Sequence, residues 1–279
     1  MDARNFTMII GLTAVMAAVP SAHAITGCSN SWLNGNFGMQ FSGTAAPAVA
    51  PGVGGIPVPP RMAASAQAAQ AAGGSGNAPT AGIARLYLDG AGNISGYSSI
   101  NLQGVWLQSN VSGTYAVNAD CSASLSITDS NGNTENFSGT LVGQGDSAMV
   151  LQTDPGTGVA GVLKRVRGSC QTSDLFGTFG LQYSGSVVAS SSPYSSVGII
   201  SLDGQGNATT NESRFSSGTY ASASATGTIA INPDCTAALT LSTDTASANF
   251  WGIVSFDQKQ VLLVQSDAGT TATATLLIQ

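Results

Sequence analysis

The chain has 279 residues, eight of them basic and fourteen acidic, for a net charge of −6. Its largest basic cluster is Lys164-Arg165-x-Arg167, which is too little positive charge to hold a phosphate backbone, so nucleic acid is excluded as a partner. The only histidine, His23, stands close to the N-terminus.

In chain order, the first segment reads as a secretory signal. Arg4 supplies a positive charge, Met8 to Val19 is a nearly unbroken apolar run, Pro20 breaks it, and Ala22-His23-Ala24 offers the small-x-small pattern of signal peptidase. The run is shorter than the about 20 residues that a membrane-spanning helix needs. Cleavage after Ala24 is expected, with the mature chain exported to the periplasm, the cell surface or the medium and without a helical membrane span. Ile25-Thr26-Gly27-Cys28 also resembles the lipobox of bacterial lipoproteins, in which the cysteine is acylated. Cys28 has a counterpart in the repeat described next, where no lipid can be attached, so lipidation is the second reading.

The mature chain is a tandem duplication. Cys28-x4-Leu33-x-Gly35-x-Phe37-Gly38 matches Cys170-x4-Leu175-x-Gly177-x-Phe179-Gly180 at an offset of 142. Leu88-Asp89-Gly90-x-Gly92-Asn93 matches Leu202-Asp203-Gly204-x-Gly206-Asn207, and Asn118-x-Asp120-Cys121 matches Asn232-x-Asp234-Cys235, both at 114. Asn136-Phe137-x-Gly139 and Gln152-x-Asp154 recur as Asn249-Phe250-x-Gly252 and Gln265-x-Asp267 at 113. The organisation read from this is a signal peptide over 1–24, a first repeat over 25–167 and a second over 168–279. The fall in offset places 28 extra residues in the first copy, in a Pro/Ala/Gly-rich insert at about 45–80. Pro47, Pro51, Pro57, Pro59 and Pro60 preclude a strand there, while 61–72 has the composition of one short helix.

Apolar residues alternate with small polar ones along the shared segments, as in Phe37, Met39 and Phe41 or Ala123, Leu125 and Ile127, which marks half-buried strands. Eight are predicted in the first copy, near 37–42, 83–89, 93–103, 113–118, 121–128, 136–142, 148–153 and 159–166. Asp89-Gly90, Asp203-Gly204 and Asn131-Gly132 stand where antiparallel strands reverse. The fold class is therefore all-β: two tandem antiparallel meander barrels of about eight strands each, with β-sandwiches as the alternative.

The four cysteines have no metal-ligand spacing. Duplication pairs Cys28 with Cys121 and Cys170 with Cys235, at separations of 93 and 65, among the three connectivities open to four cysteines. Bridges suit an oxidising compartment. Once the leader is removed no imidazole remains, which excludes Ser-His-Asp and Cys-His nucleophiles and His-ligated metals. No cofactor is expected. The acids common to both copies, Asp89/Asp203, Asp120/Asp234 and Asp154/Asp267, sit beside turn formers, where each should cap its own backbone. Asp129 to Glu135 resembles part of a calcium loop, with a hairpin turn as the plainer reading.

Candidate ligand contacts are Trp106 and Tyr220, which occupy equivalent positions, together with Ile56, Val58 and Met62 of the insert. For Trp106 packing in a core or a domain interface competes with a ligand role. The insert leaves the loop between the first two strands, at one open end of a meander barrel, where it is expected to act as a lid and to be dispensable for folding.

The Leu-x-Gly-x-aromatic-Gly opening, the Asp-Gly-x-Gly-Asn turn and the Asn-x-Asp-Cys turn resemble a family of exported, uncharacterised bacterial β-rich repeat domains. The meander is similar in architecture to lipocalin-like and allene-oxide-cyclase-like barrels. Neither resemblance implies an activity. The function expected is that of an exported, non-enzymatic binding protein for a small apolar molecule or a glycan. A structural or surface-interaction (adhesion or matrix) protein is the alternative, and a carboxylate-dependent hydrolase a third reading. A cavity within a barrel favours binding, and filled barrels favour the structural role.

Overall fold

The computed structural model describes residues 27–45, 78–216, 218–244 and 246–279. The expected leader with its cleavage site, the first two lipobox-like residues, the helix-like stretch 61–72, and Ile56, Val58 and Met62 lie outside these residues. The first repeat forms β1 (Asn34–Ala45), β2 (Ala78–Asp89), β3 (Asn93–Leu102), β4 (Val105–Val117), β5 (Ser122–Asp129), β6 (Thr134–Val142), β7 (Ser147–Gln152) and β8 (Gly158–Arg165). The second forms β9 (Phe176–Val187), β10 (Ser192–Asp203), β11 (Asn207–Ser216), β12 (Thr219–Ile231), β13 (Thr236–Ser242), β14 (Ser247–Val254), β15 (Gln260–Gln265) and β16 (Thr270–Ile278).

Each strand pairs antiparallel with the next, and each sheet closes on itself. β1 meets β8 from Phe37↔Arg165 to Thr44↔Gly158, and β9 meets β16 from Val187↔Thr270 to Phe179↔Ile278. The protein is thus two closed eight-stranded meander barrels, which sets the sandwich aside. Period-two alternation carries one side chain in two into each lumen: Phe37, Met39, Phe41, Leu86, Leu88, Leu125, Phe137 and Leu163 fill the first. Gly82 belongs to this packing, because a Cβ there would lie 2.1 Å from the Phe41 ring. Disulfides join Cys28 to Cys121 and Cys170 to Cys235, each tying the entry of a barrel to a turn within it.

Two predicted boundaries need correction. β4 begins at Val105, well before the expected 113. The first hairpin also runs to Ala45↔Ala78, so Ala45 and Ala78 to Thr80 are strand rather than insert. Pro79 is tolerated because it stands second in β2 and its carbonyl still accepts from the Gln103 N–H at 3.0 Å. The equivalent pair in the second barrel is Val187↔Ser192, closed by the four residues Val188 to Ser191. All the extra length therefore falls between Ala45 and Ala78. Replacing residues 46–77 by the Val188–Ser191 sequence is expected to leave both barrels folded. Closing a loop of four residues in place of 32 removes three doublings of length, a gain of up to ~2 kcal/mol at ~0.6 kcal/mol each. Urea unfolding measures it, and loss of cooperative unfolding is the contrary result.

The barrels pack side by side. β2 and β15 are buried on both faces, the inner against their own lumen and the outer against the other barrel. Ile83 and Ala81 of β2 join the apolar cluster of the second barrel, and Ile253 lies over Gly38, where an added Cβ would come within 2.6 Å of it. Polar groups set the register. Gln40 Nε2 donates to the Leu263 and Ala274 carbonyls at 2.7 and 2.9 Å, and fully buried Asn101 donates to those of Gln265 and Thr270, both at 2.8 Å. Arg85 Nε donates to the Asp234 carbonyl at 2.8 Å, and the Tyr97 hydroxyl to the Asp234 carboxylate at 2.6 Å.

Candidate functional site

The acids shared by the two copies come first, because their partners define what they can do. Asp89 accepts from the backbone N–H groups of Ala91, Gly92 and Asn93 and from the Asn93 side chain, and that side-chain bond foremost holds its pKa down to about 2. Asp203 repeats this with Gln205 and Asn207. Asp120 and Asp234 cap Ser122 and Thr236. Asp154 and Asp267 depart from the expectation that each caps its own backbone. They accept from the backbone and side-chain amides of Asn136 and Asn249, on the neighbouring strand, at 2.7–2.9 Å. All six carboxylates hold turns or strand ends. Asp129 likewise caps its hairpin, accepting from Asn131 and Asn133, so the calcium-like run closes a turn.

What remains is the end of the first barrel where β1 and β2 leave at Ala45 and Ala78. There the lumen opens through a small cavity of about 50 Å³. Met39, Phe41, Ile100, Val111, Ile127 and Phe137 form its apolar wall, Ser98 and Ser109 place hydroxyls 3.3 Å apart within it, and Asp129, Asn133 and Glu135 stand at its rim. Glu135 faces inward by the same alternation that turns Phe137 inward, and it pairs with Ile127 across β5 and β6. Neither of the two ion pairs among the described residues involves it. Burial, followed by the negative charges of Asp154 and Asp129, pushes its pKa up from 4.5 to about 7.

The sign of the pH dependence follows. The folded chain binds the Glu135 proton more tightly than the unfolded chain does. Its contribution is therefore fully present below pH 4.5 and is lost as pH rises through 7. Stability is expected to fall between pH 5 and 8 by up to ~3 kcal/mol, and Glu135→Gln to flatten that slope. Urea midpoints of both proteins across that range measure it; parallel profiles would be the contrary finding.

The second barrel fills the same space differently. Ala248 stands at the position equivalent to Glu135, and Tyr183 packs against Tyr194 and Phe250 at centroid distances of 4.7 and 5.4 Å. The Tyr183 hydroxyl bonds Gln265, and buried Glu212 is held by Ser196 and Arg214. Its charges are matched internally, whereas in the first barrel Glu135 has no ion-pair partner among the described residues.

The aromatic candidates lie elsewhere. Trp106 is on the outer face of β4, packed against the apolar cluster that reaches across the barrel junction, and Tyr220 is exposed on the outer face of β12. Neither lines the mouth. Glu135 was not singled out for this role by the repeat comparison, although its replacement by Ala248 in the second copy was a signal. Outside the first barrel, Tyr97, Ser99, Gln108, Asn110 and Ser130 line an open polar groove of about 400 Å³. Among the described residues, no helix is long and apolar enough to cross a membrane, and no three His, Cys, Asp or Glu side chains could together hold a metal ion.

No protein-family model and no curated protein sequence matches the chain. Among solved structures it is similar to the isotype 1 transferrin binding protein B of serogroup B Neisseria meningitidis, at a TM-score of 0.33 and 6% identity, over 87% of this chain and 74% of that one. A likeness that slight carries no functional argument.

Proposed function

We propose that this is an exported, non-enzymatic binding protein whose first barrel receives the apolar, cation-bearing end of a small molecule at its mouth. The observation that carries the reading is Glu135, a largely buried carboxylate without an ion-pair partner among the described residues, on the rim of an apolar cavity. A buried charge is costly unless paired, so a ligand that brings a cation supplies the partner that the described residues do not. The cavity holds a few waters or a short alkyl group, far below the ~300 Å³ of a site that engulfs a drug-sized ligand. The ligand therefore enters end-on. Two disulfides suit an oxidising compartment outside the cytoplasm.

Calorimetric titration with hexylammonium, hexanol and hexanoate tests this. At pH 8 the ammonium is expected to bind in preference to the other two, with the preference lost at pH 5 and in Glu135→Gln. Equal binding of all three, or no saturable binding, overturns the reading. The open groove beside Tyr97 favours a second reading, glycan recognition, because hydroxyls and amides line it almost throughout. A glycan array probed with the full chain and with Gln108→Ala and Asn110→Ala variants separates the two.

A further inference from the structure

The contact between the barrels joins two different faces of two homologous units, and such a contact cannot be self-complementary. The first barrel contributes the outer face of β1–β4, Trp106 being the part from β4, and the second contributes the outer face of β14–β16. Each barrel also owns a copy of the face that the other uses. The outer face of β9–β12 in the second barrel repeats the first contributor, and the outer face of β6–β8 in the first barrel repeats the second. Among the described residues both copies are largely open to solvent, with Val162 at the β8 edge already packed on the junction cluster.

We propose that copies of this chain assemble head to tail, the outer face of β9–β12 of one molecule seating on the outer face of β6–β8 of the next, in the geometry that joins the two barrels internally. The residues at equivalent positions carry the argument. Ile83 is buried at the internal junction, and its equivalent Val197 is 63% exposed. Trp106 is packed there, and its equivalent Tyr220 is 69% exposed. On the opposing face, Leu262 and Val264 are 2% and 0% exposed, and their equivalents Met149 and Leu151 are 65% and 54% exposed. Ile199 and Phe215 add exposed apolar area beside Val197. Of the twelve large apolar side chains exposed among the described residues, eight stand on the outer faces of these strands, Val142 and Phe176 at their ends, which a surface meant only for water does not require.

The polar register is repeated as well. Gln40 bonds two carbonyls, those of Leu263 and Ala274, that lie opposite one another across β15 and β16. Its equivalent Gln182 is exposed, and the equivalent pair across β7 and β8, Val150↔Gly161, is preserved. The repetition is incomplete in one respect: Arg85 and Tyr97, which anchor Asp234, are replaced by Ile199 and Asn211. The contact between molecules therefore has fewer charge-assisted bonds and lacks the tether of a shared chain, so association depends on concentration.

Sedimentation velocity of the full mature chain, from micromolar to near-millimolar concentration, reads the assembly directly. Species larger than a dimer are expected to grow with concentration. Ile199→Glu removes one face and Met149→Glu the other. Each variant alone is expected to stay monomeric, and an equimolar mixture to stop at a heterodimer through the two intact faces. A third variant checks the geometry. An added Cβ at Gly38 lies 3.2 Å from the Ile253 Cβ, so Gly180→Cys with Thr140→Cys, the equivalent positions, is expected to give a ladder of oxidised multimers on a non-reducing gel. A monomer at every concentration, a dimer that goes no further, or a mixture of the two face variants that remains monomeric overturns the proposal.

Discussion

Replacing Arg214 by Met is expected to destabilise the second barrel by about 3–5 kcal/mol, because it strands a carboxylate inside the lumen. The Glu212 side chain is only 3% exposed and is held by Arg214 and by the Ser196 hydroxyl. Burial opposes the charge on Arg214, but its bond to Glu212 and the attraction between them outweigh burial and raise its pKa. Met keeps much of the length and volume of the arginine stem, so the loss measures charge and hydrogen bonding rather than a cavity. The Arg214 Nε atom is buried and unbonded among the described residues, so the pair is imperfectly solvated even when intact. Removing both charges with Glu212→Gln and Arg214→Met should recover most of the loss, since a buried pair often contributes little against a neutral replacement. Urea unfolding of the single and the double variant beside the unaltered protein decides it. A single-variant loss below ~1 kcal/mol would show that Glu212 reaches water or another donor.

The second large effect concerns the disulfides. Changing Cys28 and Cys121 to Ser is expected to cost about 4 kcal/mol, and changing Cys170 and Cys235 nearly the same, in the chain-entropy account of cross-linking. The separations are 93 and 65 residues, yet closure entropy depends on the logarithm of loop length, so the two costs should differ by only ~0.3 kcal/mol. Both bridges end on residues in the left-handed region, Cys121 at φ 66° and Cys235 at φ 68°. Cysteine and serine carry the same strain at such a φ, so it cancels and the comparison reports the loss of the cross-link. Thermal and urea unfolding of the two double variants provide the comparison. A first-barrel loss several-fold larger than the second would show that the bridge does more than shorten the unfolded chain.

The duplication, the strand pattern and the cysteine pairing were all legible in the residues alone, for a common reason. Each rests on local or repeated information: alternation such as Phe37, Met39 and Phe41, turn chemistry such as Asp89-Gly90, and two matched cysteines per copy. Eight strands joined by turns imply a meander, but period two distinguishes only one face of a strand from the other. It cannot say whether the sheet closes, and the Phe37↔Arg165 and Phe179↔Ile278 pairings decide that. Nor does it say what lies against an outer face. Ile83 and Val197 occupy equivalent positions with similar side chains, yet one is buried and the other exposed, because only the first meets a neighbouring barrel. Glu135 shows the same limit. A carboxylate three residues after a turn glycine reads as solvated, and it becomes a rim group of raised pKa only because β5 and β6 turn it toward Ile127, Phe137 and the lumen. Side-chain chemistry and spacing are written in the chain, whereas burial and raised pKa arise from residues distant in sequence and come into being only when the barrels close and pack.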